Sequence, residues 1–311
     1  MEAVHTPLIL YIPGLLPKPE PEAHRDALIR CLEAGVRQID ANVADEIVAT
    51  PHSFDLVSWT YDFYREYRNI AIDRAAIHDV IERPVASPGD RREAGSWKRR
   101  ATLALHRLGD LMPFLIPYLA GEKTEVHIRD LSRYLRNRNG IADHVREMLK
   151  LPLRAATESQ RPILLLAHSM GSIISWDSLW EITHEHGDRV VVDTLVSMGS
   201  PLGQNYLMKR IKGNDREGPE RYPHNVRRWL NVSAVGDMTA VDPTLADNYA
   251  EMQRLGLVES IEDRSMYNAF RLDGVLNTHA EYGYLANEVL GRIVAEWWQR
   301  VRRSDTVRSE P

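Results

Sequence analysis

The chain of 311 residues contains one cysteine and four phenylalanines, and it has no excess of basic residues. A lone Cys31 cannot form an intramolecular disulfide, which fits a reducing compartment. It falls in an amphipathic segment with no base nearby, so it reads as a buried structural thiol, not a nucleophile. Lys and Arg number 39 against 44 Asp and Glu, a formal net charge of −5. That balance argues against nucleic acid or an anionic membrane surface as a partner. The most apolar stretch, LGDLMPFLIPYLAG (108–121), holds two prolines. It is well short of the roughly 20 residues needed to cross a bilayer, so no membrane span is expected. The opening MEAVHTPLILYIPG has no basic n-region and too short an apolar run for a signal peptide, and a cytoplasmic location is expected. Internal repeats and low-complexity segments are also missing.

What is present is alternation. Short apolar runs at Pro7–Ile12, Asp55–Trp59, Pro162–Ala167, Val190–Ser197, Val226–Val235 and Met266–Leu272 read as strands. Helical patterns lie between them at Glu22–Ala34, Met170–His186 and Ala280–Val301. This order predicts a mostly parallel sheet covered by helices. One connection, residues 61–159, is too long for a simple crossover. It carries helical patterns at Tyr61–Ile81, Arg99–Ala120 and Ile141–Ala156, and RPVASPGDRR (83–92) reads as a loop between them. Its apolar residues, including Leu103, Leu111, Met112, Phe114, Leu115, Ile116 and Leu119, must pack on the sheet or on a bound apolar group. The expected organisation is a core of residues 1–60 and 160–301, a helical cap over 61–159 and a frayed polar tail over 302–311.

The run PILLLA ends in AHSMG, and the helical pattern SIISWDSLWEI follows. Ser169 therefore sits in a sharp turn between a buried strand and a helix. Such a turn needs small residues two places before and two after the serine, and Ala167 and Gly171 meet that need. The serine oxygen then stands above a helix N-terminus, where backbone N–H groups face developing negative charge. The stretch resembles the G-x-S-x-G nucleophile elbow of the α/β-hydrolase superfamily, in the HSMG form common among esterases and lipases, with Ala167 in place of the first glycine. The resemblance implies a three-layer sandwich around a mostly parallel sheet, with residues 61–159 as a lid or cap. The N-terminal hairpin strands usual in that fold are not evident.

A serine needs a base held by a carboxylate. In a parallel sheet, residues that follow strands share one face, and this sorts the twelve histidines. His5, His52 and His224 precede strands. His184 and His186 end the helix that starts at the serine, roughly 20 Å away by helical rise, and their spacing lacks an evident third metal ligand. His168 occupies the turn and is expected to point away. His78, His106, His127 and His144 lie in the insertion, and His24 just past the first strand. His279 follows the last strand, precedes a helix, and stands in HAEYGYLAN, which resembles the superfamily's catalytic-histidine region. For the acid, Asp237 directly follows the strand WLNVSAV, with Asp242 in VDPT as the alternative or as a helix cap. The order Ser, Asp, His is that of the superfamily.

The resemblance also assigns an oxyanion hole. Met170 supplies one N–H, and YIPGLLPKP resembles the superfamily's H-G-x turn, which makes Leu15 the second donor and Gly14 the residue allowing close approach of substrate. SMGSPLG (197–203) resembles lipase-like members, with Gly199, Ser200 and Pro201 expected at the pocket rim. The implied protein is a serine hydrolase that cleaves a small-molecule carboxylic ester with an apolar acyl or aromatic part and uses neither metal nor organic cofactor. An acyltransferase or thioesterase would use the same residues, and a non-catalytic binding module could share the fold.

Overall fold

The computed structural model describes residues 6–111 and 122–308. Six strands, β1 (Leu8–Ile12), β2 (Phe54–Leu56), β3 (Ile163–His168), β4 (Val192–Met198), β5 (Val226–Ala234) and β6 (Ser260–Met266), form one sheet in the order β2-β1-β3-β4-β5-β6. Every neighbouring pair is parallel. The chain steps from β1 to β2 in one direction and then builds β3 to β6 in the other. The reversal falls between β1 and β3, where open α/β sheets place their ligands.

β1 and β3 are buried along their whole length, so they read as unbroken apolar runs instead of alternating ones. Their register aligns Leu10, Leu165, Leu195, Trp229 and Ile261 in one row across the sheet. That row belongs to a core shared with helices α8 (Ile141–Glu158) and α9 (Met170–Glu181). The alternate residues Ile9, Leu164, Val196 and Val232 face a second core built by α1 (Pro21–Arg37), α2 (Ala41–Ala49), α4 (Arg74–Glu82), α13 (Glu281–Leu285) and α14 (Glu288–Arg308). Helices thus cover both faces of the sheet. Among the described residues no helix is long and apolar enough to cross a membrane.

Between β2 and β3 the chain forms α3 (Thr60–Tyr64), α4, α5 (Pro88–Ala94), α6 (Trp97–Leu111), α7 (Glu122–Leu135) and α8. This segment feeds both cores: Val145, Leu149 and Leu153 of α8 join one, and Ala76, Ile77 and Val80 of α4 join the other. Met112, Phe114, Leu115, Ile116 and Leu119 lie outside the described residues. Three short helices, α10 (Asn205–Met208), α11 (Leu245–Asn248) and α12 (Ala250–Arg254), follow β4 and β5.

Several expected boundaries move. The last strand is Ser260–Met266, not Met266–Leu272; Arg271–Leu272 (β7) instead pairs with Val275–Leu276 (β8) in a small hairpin. β6 pairs on one side only and exposes Glu262, Asp263, Arg264 and Ser265, so it lacks the apolar signature of the inner strands. The 83–92 loop contains the start of α5, set by a capping box in which Ser87 Oγ accepts from the Asp90 N–H and Asp90 Oδ2 accepts from the Ser87 N–H. The strand at 55–59 stops at Leu56, because Trp59 turns inward and its indole N–H donates to the Pro13 carbonyl. The helix expected at 280–301 is two helices. Asn287 breaks it by accepting the Val289 N–H on its side chain, and α14 continues through the expected tail to Arg308.

Candidate active site

β3 ends at His168, and Ser169 makes the turn into α9 with φ 53° and ψ −121°. This conformation is disfavoured for any residue with a Cβ and costs of order 1–3 kcal/mol. The turn is held by the Ser169 N–H donating to the Met198 carbonyl (2.8 Å) and by Ser172 Oγ donating to the Ser169 carbonyl (2.6 Å). A methyl group at Gly171 would stand 2.4 Å from the Ile12 carbonyl oxygen, so β1 and α9 can approach this closely only through glycine. A methyl at Gly14 would meet Ser169 Cβ at 2.7 Å, which brings the turn after β1 against the serine. Met170 is the first residue of α9, so its N–H has no acceptor within the helix. Leu15, next to Gly14, is half-buried.

The other two side chains arrive on loops later in the chain. Asp237 follows β5 through the Gly236 turn, and His279 follows the β7–β8 hairpin at the foot of α13. His279 Nε2 lies 2.9 Å from Ser169 Oγ, and its Nδ1 lies 2.8 Å from Asp237 Oδ2. An ionised carboxylate can only accept, so Nδ1 carries the proton and Nε2 is free to accept the serine O–H. The His279 side chain is 30% exposed while that of Asp237 is fully enclosed. Burial pushes the Asp237 carboxyl pKa up, but the facing His279 and further donors outweigh it, and the net displacement is downward. Those donors are the Tyr284 hydroxyl (2.7 Å, to Oδ2) and the Thr239 N–H (2.8 Å, to Oδ1). Tyr284 is itself fixed by accepting the Ala234 N–H at 2.8 Å. Burial and the neighbouring Asp237 raise its own pKa far above the usual phenol value, so it stays a donor.

Gly199, expected at the rim, lies against this pair instead. Its φ is 54°, and a methyl there would sit 2.8 Å from Asp237 Oδ2 and 3.0 Å from His279 Nδ1. Ser200 is buried and its hydroxyl is bonded to Ser172 Oγ at 2.7 Å; Pro201 is buried beside it. Asp242 stands apart from His279: Oδ1 accepts the Thr244 N–H at 3.0 Å and Oδ2 accepts from Asn248 Nδ2 at 2.9 Å, a local capping arrangement.

His168 does not point away as expected. Its ring packs on that of His279, centroids 4.7 Å apart, and Nε2 donates to the His279 carbonyl at 3.0 Å. His24 is buried against Glu281, and His144 pairs with Asp62. His52 and His224 lie before β2 and β5, and His5 is outside the described residues. Glu181, Glu185 and His186 bring ligand atoms within 4.8 Å of one another. The Glu181 carboxylate, however, already holds Lys150 Nζ at 2.7 Å and Lys212 Nζ at 2.8 Å, which would repel a cation there.

Comparison with protein-family models, with curated proteins and with solved structures finds no match for this chain. Sequence reasoning missed Tyr284, Thr239 and the role of Gly199. The only local trace of Tyr284 is a polar residue inside the apolar pattern that follows His279.

Proposed function

We propose that the protein is a serine hydrolase of the α/β-hydrolase type that cleaves a carboxylic ester. One observation carries the reading. Ser169, held in a strained turn at the sheet's switch point, is hydrogen-bonded in series through His279 to a buried carboxylate, Asp237. A serine kept only for packing has no need of a base oriented by an enclosed acid.

In this mechanism Ser169 Oγ attacks the ester carbonyl carbon while its proton passes to His279 Nε2. Asp237 holds the Nδ1–H and stabilises the imidazolium that forms. The N–H groups of Met170 and Leu15 receive the oxyanion. Collapse of the tetrahedral intermediate expels the alcohol, which takes the proton from His279 and leaves an acyl group on Ser169. Water, deprotonated by His279, attacks that acyl group; the tetrahedral intermediate collapses to release the carboxylic acid, and His279 returns the proton to Ser169 Oγ. An apolar acyl or aromatic portion of the substrate suits a chain whose insertion is rich in Leu.

A fluorophosphonate probe followed by peptide mass spectrometry tests the proposal. An adduct on Ser169, absent in Ser169→Ala, is expected together with loss of p-nitrophenyl ester turnover by at least about 1,000-fold in that variant. Equal turnover by wild type and Ser169→Ala would sink it. Product ratios with added alcohol acceptor distinguish hydrolysis from acyl transfer.

A further inference from the structure

Glu281 lies two residues beyond His279, in the first turn of α13, and its side chain is 6% exposed. A buried carboxylate is costly unless several donors meet it, and here they come from separate elements. Oε2 accepts from the Tyr11 hydroxyl of β1 at 2.9 Å. Oε1 accepts from Lys18 Nζ, in the turn that follows β1, at 2.9 Å, and from His24 Nε2, on α1, at 3.1 Å. Burial alone would push the Glu281 pKa up, but Lys18 and His24 hold it well below the usual carboxylate range.

The fourth neighbour connects this carboxylate to the nucleophile. His168, which immediately precedes Ser169, has Nδ1 4.0 Å from Glu281 Oε2. Its Nε2 donates to the His279 carbonyl, which can only accept, so Nδ1 bears the lone pair. Nδ1 is buried and has no protein partner. At 4.0 Å the two atoms are beyond direct hydrogen-bond distance, so His168 and Glu281 meet in van der Waals contact. The His168 ring stays neutral, because burial and then the adjacent His279 bring its pKa down to about 3.

Glu281 therefore meets the turn that bears Leu15, the strand end that bears Ser169 and the segment that bears His279. The Ser169–His279–Asp237 series uses none of these contacts. We propose that Glu281, acting with Lys18 and through His168, is a positioning residue that holds the turn after β1, the serine turn and the base in mutual register. This rests on the serine-hydrolase reading above. The ionisable groups facing Glu281 are Tyr11, Lys18, His24, His168 and Tyr282, with Cys31 and Arg68 farther off; Asp237 faces His279 from the opposite side.

The test compares Glu281→Gln, Lys18→Met and the double variant in the full chain, reading kcat, KM, the acid limb of the pH–rate profile and Tm with a p-nitrophenyl ester. Glu281→Gln is expected to lower kcat by about 30-fold with KM within about twofold, since an ångström of misplacement is enough for such a loss. It removes a negative charge near His279, so imidazolium is less favoured and the acid limb moves down by about half a pH unit. Lys18→Met removes a positive charge and moves that limb up. In the double variant the limb returns to its wild-type position, and kcat falls no further than in Glu281→Gln, because the two residues act as one unit.

A Glu281→Gln protein that loses Tm but keeps kcat within about threefold and an unmoved acid limb would show a purely structural role and overturn the proposal. Should Glu281→Gln fail to fold, Lys18→Met decides: an unchanged limb and unchanged kcat overturn the proposal equally. Failure of the serine-hydrolase reading looks different, since it appears as wild-type protein that acquires no fluorophosphonate adduct on Ser169.

Discussion

The Tyr284 hydroxyl donates to Asp237 Oδ2 at 2.7 Å, the same oxygen that accepts His279 Nδ1–H at 2.8 Å. Two donors on one oxygen fix the carboxylate plane, and the plane in turn fixes the imidazole. Tyr284→Phe keeps the ring and removes both this donor and the acceptor of the Ala234 N–H. The expected stability loss is about 1–3 kcal/mol, the cost of leaving buried polar groups unpaired. Activity should fall by about tenfold in kcat, with the acid limb of the pH–rate profile moving upward. Without the hydroxyl dipole the carboxylate presents a more negative potential to His279 and favours its protonation. A variant that loses stability alone, with kcat and pH profile intact, would assign Tyr284 to packing.

Gly199 makes a steric prediction. Its backbone is at φ 54°, and an added methyl would overlap the Asp237–His279 contact from the side. Gly199→Ala should fold, since the strain amounts to about 1–2 kcal/mol, yet lose at least about 100-fold in kcat/KM because His279 is displaced. A fluorophosphonate labelling rate equal to wild type would contradict this.

These relationships show what could be read from the chain alone. ILLLAHSMG was legible because β3 is buried on both faces and its apolar run is unbroken until the turn. Ser169 and Asp237 can be drawn together because the ends of parallel strands share one edge of the sheet, whereas His279 reaches them through the β7–β8 hairpin that follows β6. Tyr284 could not be read, since its partner lies 47 residues away and nothing local marks a tyrosine as bonded. Glu281 is more extreme, with partners 270, 263 and 257 residues away in sequence. β6 gives no apolar signal because an edge strand need not be apolar, and the Ser-Pro-Gly-Asp start of α5 looks like a loop until the reciprocal cap is seen.

His168 gives the fold a specific pH dependence. Its folded pKa of about 3 lies below that of an exposed imidazole, about 6.5. Between those values the unfolded chain binds a proton that the folded chain does not, so stability rises with pH through that window and is complete above it. Falling pH removes up to about 1.4 kcal/mol per unit from this one group. Urea unfolding between pH 4 and 7 should therefore show a shallower rise in His168→Gln than in wild type, by close to one proton. Equal slopes would mean that His168 is protonated in the folded state.

Arg99 joins the insertion to the loops that carry Asp237 and His279. It stands in the first turn of α6 and donates from Nη1 to Thr278 Oγ1 at 3.1 Å and to the Gly236 carbonyl at 3.4 Å. Nη2 donates to the Leu276 carbonyl at 2.9 Å, and Thr278 Oγ1 in turn donates to Gly236 at 2.9 Å. Residues 236 and 278 immediately precede Asp237 and His279, so one guanidinium ties together the two backbones that present these side chains. Lysine cannot reproduce a planar fork that reaches three acceptors. Arg99→Ala and Arg99→Lys are therefore both expected to lower kcat by about tenfold, while Tm changes little because the side chain is partly exposed. Amide hydrogen exchange should rise at 276–279 and 236–239 in both variants, reporting the loosened loops directly. If Arg99→Lys retains wild-type kcat and exchange, charge alone suffices and the fork geometry is not what holds Asp237 and His279 together.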